Sequence, residues 1–268
     1  MIFVRDKGRM CNNILQYGHV YAWARAHGRQ AVSMRFAYKY QYFHICHTPY
    51  HHFATYVAAK YAAKWGLLPV VSFDTDGADY RDNEQKMLIR KHLVVEGWYA
   101  RWYDLFLKYK AEIIRLFAFT EEIEAAVARR FTGDGLRLGV HIRRGDYATF
   151  QGGRFLYSDA QYVGIIRQFI ALHPRERIHI YICGNDPKLD RAYFAEQLSG
   201  CEVSFPEGNP GEDLCLLSHC HYLIGAPSTF SLVAAMYHDL PLYWIEDASR
   251  PLTADAFGHF DELFRHIY

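Results

Sequence analysis

Short apolar runs alternate with longer segments whose apolar residues recur at helical spacing. This alternation predicts an α/β protein built on parallel sheets. Ile2–Val4 reads as a first strand, Asp6–Cys11 as a polar loop, and Asn12–His27 as a helix closed by Gly28. Ala31–Met34, Leu68–Phe73 and Leu93–Gly97 read as further strands, with a helix after Pro49 that ends near Trp65–Gly66. Trp102, Leu105, Phe106, Tyr109, Ile113 and Leu116 keep one apolar face from Arg101 to Phe117, which predicts one long helix. Thr120, followed by Glu121 and Glu122, opens a helix that ends near Arg130.

Gly133-Asp134-Gly135 is a strong turn signal, and after it the rhythm restarts. Leu136–Arg143, Ile178–Cys183, Cys201–Phe205, Tyr222–Gly225 and Leu242–Ile245 read as strands. Between them, Ser158 and Gln161 form a capping-box pattern opening a helix to Leu172. Pro187–Leu198, Glu212–Ser218 and Ser228–Tyr237 read as helices, and the tail from Ala254 as helical. Two α/β halves meet near residue 130.

The near balance of 30 Lys+Arg against 29 Asp+Glu argues against broad nucleic-acid binding and leaves room for a local basic pocket. Six cysteines without a C-x-x-C pair read as reduced thiols of a cytoplasmic protein. Arg5, Asp6 and Lys7 stand too early for a signal peptide. Leu214–His238 contains no Asp, Glu, Lys or Arg and is long enough to span a bilayer. Gly225, Pro227 and three histidines break it instead into a buried strand, turn and helix.

The densest chemistry is Gly139-Val140-His141-Ile142-Arg143-Arg144-Gly145-Asp146-Tyr147, an apolar strand running into two guanidinium groups and a carboxylate. Ligands of parallel α/β sheets bind at the carboxyl ends of strands, and arginine there can grip phosphate oxygens through paired hydrogen bonds. Two other clusters compete for attention. His44, Cys46, His47, His51 and His52 crowd together without a zinc-type spacing. Asp74-Thr75-Asp76 follows a strand and has the D-x-D form of a metal-binding triplet.

His141 to Tyr147 resembles the H-x-R-R-G-D-Y signature of the α-1,2-fucosyltransferases, a group of GDP-fucose-using enzymes. Three more segments resemble that family in order: Lys7-Gly8-Arg9-Met10-Cys11-Asn12-Asn13 with Leu15-Gln16-Tyr17, then Glu96-Gly97-Trp98-Tyr99, then Asp213 to Cys220 with Ala226 to Ser231. Departures fall at Arg9 and Cys11, where the family has glycine, at Asn13 for its Gln, at Pro227 for its Asn, and at Leu232-Val233 for a Trp pair.

The resemblance implies a GT-B type α/β fold, two Rossmann-like domains with parallel sheets facing a central cleft. Residues 1–130 would bind the acceptor and 131–268 GDP-fucose. The implied reaction moves L-fucose from GDP-β-L-fucose to a galactoside hydroxyl with inversion, as an α-1,2 link in polysaccharide biosynthesis, without a metal or other cofactor. Arg143 would bind the β-phosphate, with Arg144 either a second candidate or a support of the loop through an internal ion pair. His141 and Asp213 would contact the guanine end, the latter through its N1–H and N2–H₂ edge. Ser228 and Thr229 would offer a helix N-terminus to phosphate, and Gly8 and Asn12 would face the donor from the other domain. Asp146, the nearest carboxylate, would either orient Arg143 or accept the acceptor's proton. The partners implied are GDP-fucose and a galactose-containing glycan, with no nucleic acid and at most peripheral contact with the cytoplasmic membrane face. Rival readings are a metal-assisted transferase using Asp74 and Asp76 with another nucleotide sugar, and a paralogue that binds without turnover.

Overall fold

The computed structural model describes residues 1–75, 79–131, 133–184 and 186–267. The chain divides into two compact units, Met1–Thr120 and Glu121–Tyr268. The boundary thus falls ten residues before the one the turn signal suggested. The helix Glu121–Ala128 packs against Pro210–Ser218 of the second unit, so it belongs there and not with the residues before it.

The first unit runs β1 (Ile2–Arg5), α1 (Met10–Ala26), β2 (Ala31–Ser33), α2 (Phe53–Lys64), β3 (Val70–Ser72), α3 (Tyr80–Ile89), β4 (Leu93–Glu96), α4 (Tyr103–Lys108) and α5 (Lys110–Leu116). Its strands pair in parallel in the order β2-β1-β4-β3. Leu93, Val94 and Val95 are all buried, the continuous apolar run expected of a strand covered on both faces.

The second unit runs α6 (Glu121–Ala128), β5 (Leu136–Ile142), α7 (Asp159–Leu172), β6 (Ile178–Gly184), α8 (Arg191–Gln197), β7 (Glu202–Ser204), α9 (Pro210–Ser218), β8 (Tyr222–Gly225), α10 (Thr229–His238), β9 (Leu242–Trp244) and α11 (Phe260–Leu263). Its sheet is also parallel, in the order β7-β6-β5-β8-β9. The order reverses direction between β5 and β8, and a doubly wound sheet opens a crevice at such a point. The capping box at Ser158 and Gln161 forms as the sequence suggests. No helix among the described residues is long and apolar enough to cross a membrane, and Leu214–His238 resolves into most of α9, then β8 and α10.

Three elements differ from the sequence reading. The long helix from Arg101 is two helices, because the backbone leaves helical geometry at Tyr109 (φ −105°, ψ 12°). Each half docks separately on α1: Phe106 lies where a Cβ on Gly18 would stand, and Glu112 accepts from Tyr21 Oη and Arg25 Nε, each at 2.8 Å. Helix α3 has no counterpart in the reading, since only Met87 in it is buried and its polar run carries no apolar stripe; Asp79 caps it through Asp82 N–H. Helix α8 starts at Arg191 instead of Pro187, because Asp186 and Asp190 accept from Lys188 and Tyr193 N–H and hold the preceding residues in turns.

Gly97, just past β4, takes φ +115°, and a Cβ there would lie 2.1 Å from the Phe73 carbonyl carbon. Gly28 is also left-handed, at φ +63°, but faces open space. Gly97→Ala is therefore expected to lose well over the roughly 1 kcal/mol that left-handed strain alone brings to Gly28→Ala. Urea denaturation of the two variants side by side checks this, and equal midpoints would contradict it.

Candidate functional site

Strand β5 delivers His141 to the carboxyl edge of the second sheet, in register with Cys183 of β6 and Gly225 of β8. Its imidazole is buried and stacks on Phe230, with ring centroids 4.8 Å apart and planes 23° from parallel. Burial first, and then the charge of Arg143, lowers its pKa to about 3, so the ring is neutral at any working pH. Its Nδ1 is buried without a hydrogen-bond partner among the described residues.

The two arginines that follow have different surroundings. Arg144 Nε donates to Tyr157 O at 3.1 Å, Nη1 to Asp186 at 3.2 Å and Nη2 to Asp159 at 2.5 Å. All three side chains are largely buried. With a bond from each of its three nitrogens, this guanidinium ties the loop after β5 to the start of α7 and to the loop after β6. Of the two roles open to Arg144, these bonds favour support of the loop through internal ion pairs. Arg143 pairs with Asp146, whose two oxygens lie 2.9 and 3.0 Å from Nη2, and its guanidinium stands 5.6 Å from the centroid of the Tyr147 ring. Its Nε is buried with no hydrogen-bond partner among the described residues, although the side chain is 13% exposed.

The intervening turn is tightly built. Gly145, Gln151, Gly152 and Gly153 all take positive φ. Tyr147 is buried and donates its hydroxyl to Pro227 O, joining the loop after β5 to the loop after β8. Pro227 makes this contact through its carbonyl, which any residue would supply. Next to it Ser228 caps α10, its Oγ accepting from Phe230 N–H at 3.2 Å, and Thr229 is the first helical residue. The crevice between β5 and β8 is thus flanked by Arg143 on one side and a helix N-terminus on the other.

Asp213 lies in the first turn of α9, which also starts at the carboxyl edge. Burial raises its pKa to about 7; Arg130 opposes that rise and Glu212 adds to it. Arg130 Nη2 is bonded to Glu212 Oε2, while Arg130 Nη1 and Asp213 Oδ1 are buried without hydrogen-bond partners among the described residues. After burial itself, the charge of Asp213 is the largest influence raising the pKa of Cys183, the neighbour of His141. Arg130 and Phe230 are the side chains that sequence reasoning passed over. Arg130 stands 82 positions from its partner Glu212, and no local pattern signals such a pair.

In the first unit the loop after β1 is organised by Gln16, which accepts from Lys7 N–H at 3.2 Å and donates to Lys7 O at 2.6 Å. Gly8 takes φ +92° with the Asn12 amide against it. Asp74, half of the D-x-D triplet, is held by Lys7 Nζ at 2.6 Å, and a metal would have to displace that ammonium. Asp76 lies outside the described residues. Residues of the histidine cluster have local roles: His51 Nε2 accepts from Ser33 N–H at 3.0 Å and its Nδ1 meets Thr48 Oγ1 at 2.6 Å, while His52 caps α2. Among the described residues, Glu124, Cys215 and His219 could converge on a metal ion. His219 is the C-cap of α9, just before the amino end of β8 and thus at the opposite edge from Arg143.

The chain matches no family model and no curated protein. Solved structures with the same fold are found. A mutant of Arabidopsis thaliana FUT1 in complex with GDP superposes with a TM-score of 0.60 at 13% identity, covering 96% of this chain and 73% of that one. POFUT1 in complex with GDP-fucose gives 0.55 at 11%, covering 89% and 93%. NodZ α-1,6-fucosyltransferase soaked with GDP-fucose gives 0.53 at 16%, covering 96% and 97%. The fold is therefore the GT-B-like α/β fold of these fucosyltransferases.

The two arginines should separate in stability. Arg144→Ala leaves Asp159 and Asp186 partly buried and unpaired, and is expected to destabilise by about 3 kcal/mol. Arg143→Ala leaves only the half-exposed Asp146 and should stay within about 1 kcal/mol of wild type. Chemical denaturation of both variants measures the contrast.

Proposed function

We propose that the protein transfers L-fucose from GDP-β-L-fucose to a galactoside hydroxyl with inversion, forming an α-1,2 linkage. The second unit binds the donor and the first the acceptor glycan. The observation that carries this reading is the reversal of strand order between β5 and β8, which sets Arg143 and the N-terminus of α10 on one crevice. The signature from His141 to Tyr147 lies in that crevice, and the proteins of the same fold bind GDP or GDP-fucose.

The bond from the fucose anomeric carbon to the diphosphate breaks as the bond to the acceptor oxygen forms, and the acceptor's hydroxyl proton passes to the surrounding water. Negative charge grows on the departing GDP. Arg143 and the first N–H groups of α10 are fixed donors for that charge, a task a metal ion performs in other transferases. Asp146 orients Arg143 through their ion pair. Asp213 accepts from the guanine edge and neutral His141 supplies a second polar contact there, while Ser228 and Thr229 border the phosphates. Gly8 and Asn12 line the acceptor unit's loop. The free cysteines fit a cytoplasmic enzyme.

Turnover of GDP-fucose with a galactoside panel tests the proposal. Arg143→Lys keeps the charge but loses the planar fork, and kcat should fall by about 10²–10³, with Arg143→Ala lower still. Activity should survive EDTA. Near-normal turnover in folded Arg143→Ala would refute the assignment.

Nucleotide binding should also report Asp213. The guanine edge donates, so it requires the carboxylate. Because the free protein holds Asp213 near 7, raised above its ordinary value, the ionised fraction grows from pH 6 to pH 8. GDP affinity should rise about tenfold over that interval beyond the change seen in Asp213→Asn. The linked stability has the opposite sign: the protonated group favours the fold, and that contribution is lost as pH rises through about 7. Titration calorimetry at both pH values measures the first effect, and identical profiles for wild type and variant would remove Asp213 from the guanine site.

A further inference from the structure

The amino edge of the first sheet, opposite the loop that carries Gly8, gathers exposed apolar side chains and cations. Val94 N–H donates to Pro69 O at 2.9 Å, so the turn after α2 and the turn after α3 lie side by side. Trp65 and Leu67 on one turn are 68% and 73% exposed, and Leu88 and Ile89 at the other are 53% and 76% exposed. Single exposed apolar residues are ordinary, but four on adjacent turns make a patch.

The charge around this patch has one sign. From Lys7 to Phe73 the chain carries eight Lys and Arg and no Asp or Glu. Lys64 precedes Trp65, and Arg90 and Lys91 follow Ile89, all exposed. Arg29 reaches the same place, donating to Arg90 O at 2.6 Å and Lys91 O at 2.9 Å. The acids of α3 are engaged elsewhere. Asp79 caps the far end of the helix, Asp82 pairs with Lys86, and Glu84 accepts from the Trp23 and Trp102 indoles at 3.0 and 2.6 Å.

We propose that this edge docks on the surface of an anionic lipid bilayer. Trp65, Leu67, Leu88 and Ile89 enter the boundary between headgroups and acyl chains, and Arg29, Lys64, Arg90 and Lys91 face the headgroups. A second copy of the chain is the poorer occupant, since a symmetric contact would set these cations against their own copies. The inference rests on the first unit alone, so vesicle binding and sugar transfer can fail separately.

Sedimentation of the full chain with phosphatidylcholine vesicles, with and without phosphatidylglycerol, tests it. The protein should pellet with the anionic vesicles at low salt, release as salt rises, and stay in solution with pure phosphatidylcholine. Leu67→Asp with Ile89→Asp should weaken binding at least about tenfold without changing the melting temperature, because both side chains are exposed. Arg90→Gln with Lys91→Gln should weaken it and flatten the salt dependence. The proposal is overturned if wild type ignores anionic vesicles or if the aspartate variant binds as well as wild type. A dimer in light scattering that the aspartate substitutions dissociate, with no vesicle binding, would assign the patch to self-association instead.

Discussion

The ion cluster of Arg144 with Asp159 and Asp186 is the constraint on which the second unit's carboxyl edge depends. The loop after β5 contains four residues at positive φ and could not hold one shape through backbone preference alone. A guanidinium that answers two carboxylates and a backbone carbonyl fixes it to α7 and to the loop after β6. Neither aspartate could be buried without that charge, and the arginine could not be buried without them. With the loop pinned, its neighbour Arg143 is held at the mouth of the crevice with hydrogen-bonding capacity left over.

A similar surplus recurs among its neighbours at the carboxyl edge. Buried polar atoms are nearly always paired in folded proteins. Here His141 Nδ1, Arg143 Nε, Arg130 Nη1 and Asp213 Oδ1 are all buried and unpaired among the described residues. They come from the end of β5, the residues after α6 and the first turn of α9. A fold that leaves donors and acceptors unanswered in this region is destabilised by them until a polar ligand arrives. The raised pKa of Asp213 has the same origin, since burial without a full complement of donors disfavours its charge.

The first unit separates its chemistry between two edges in a similar way. At the carboxyl edge of its sheet, Asp6 is buried against Ser33 with its pKa raised by burial to about 7, and Lys7 bridges toward Asp74 and Glu96. At the amino edge the carboxylates are engaged or absent, and cations stand beside apolar side chains. Parallel strands make this possible, because every crossover returns the chain to the same edge and so sorts loops into two families.

The sequence by itself determined the α/β rhythm, most strand positions, the capping box of α7 and the cluster from His141 to Tyr147. These depend on neighbours within a few positions: the period of apolar residues, a cap three residues away, a polar run at the end of an apolar strand. It left Arg144 between a phosphate contact and an internal ion pair, because its partners Asp159 and Asp186 lie 15 and 42 positions on. Nor did it mark α3, whose packing buries one side chain, or the break at Tyr109, where α1 takes hold of the two halves of one apolar stripe. Only the tertiary structure decided which of two arginines is bound internally, which carboxylate is buried, and where strand order reverses. Each of these is set by partners that the chain brings together from far apart, and local spacing carries no record of them.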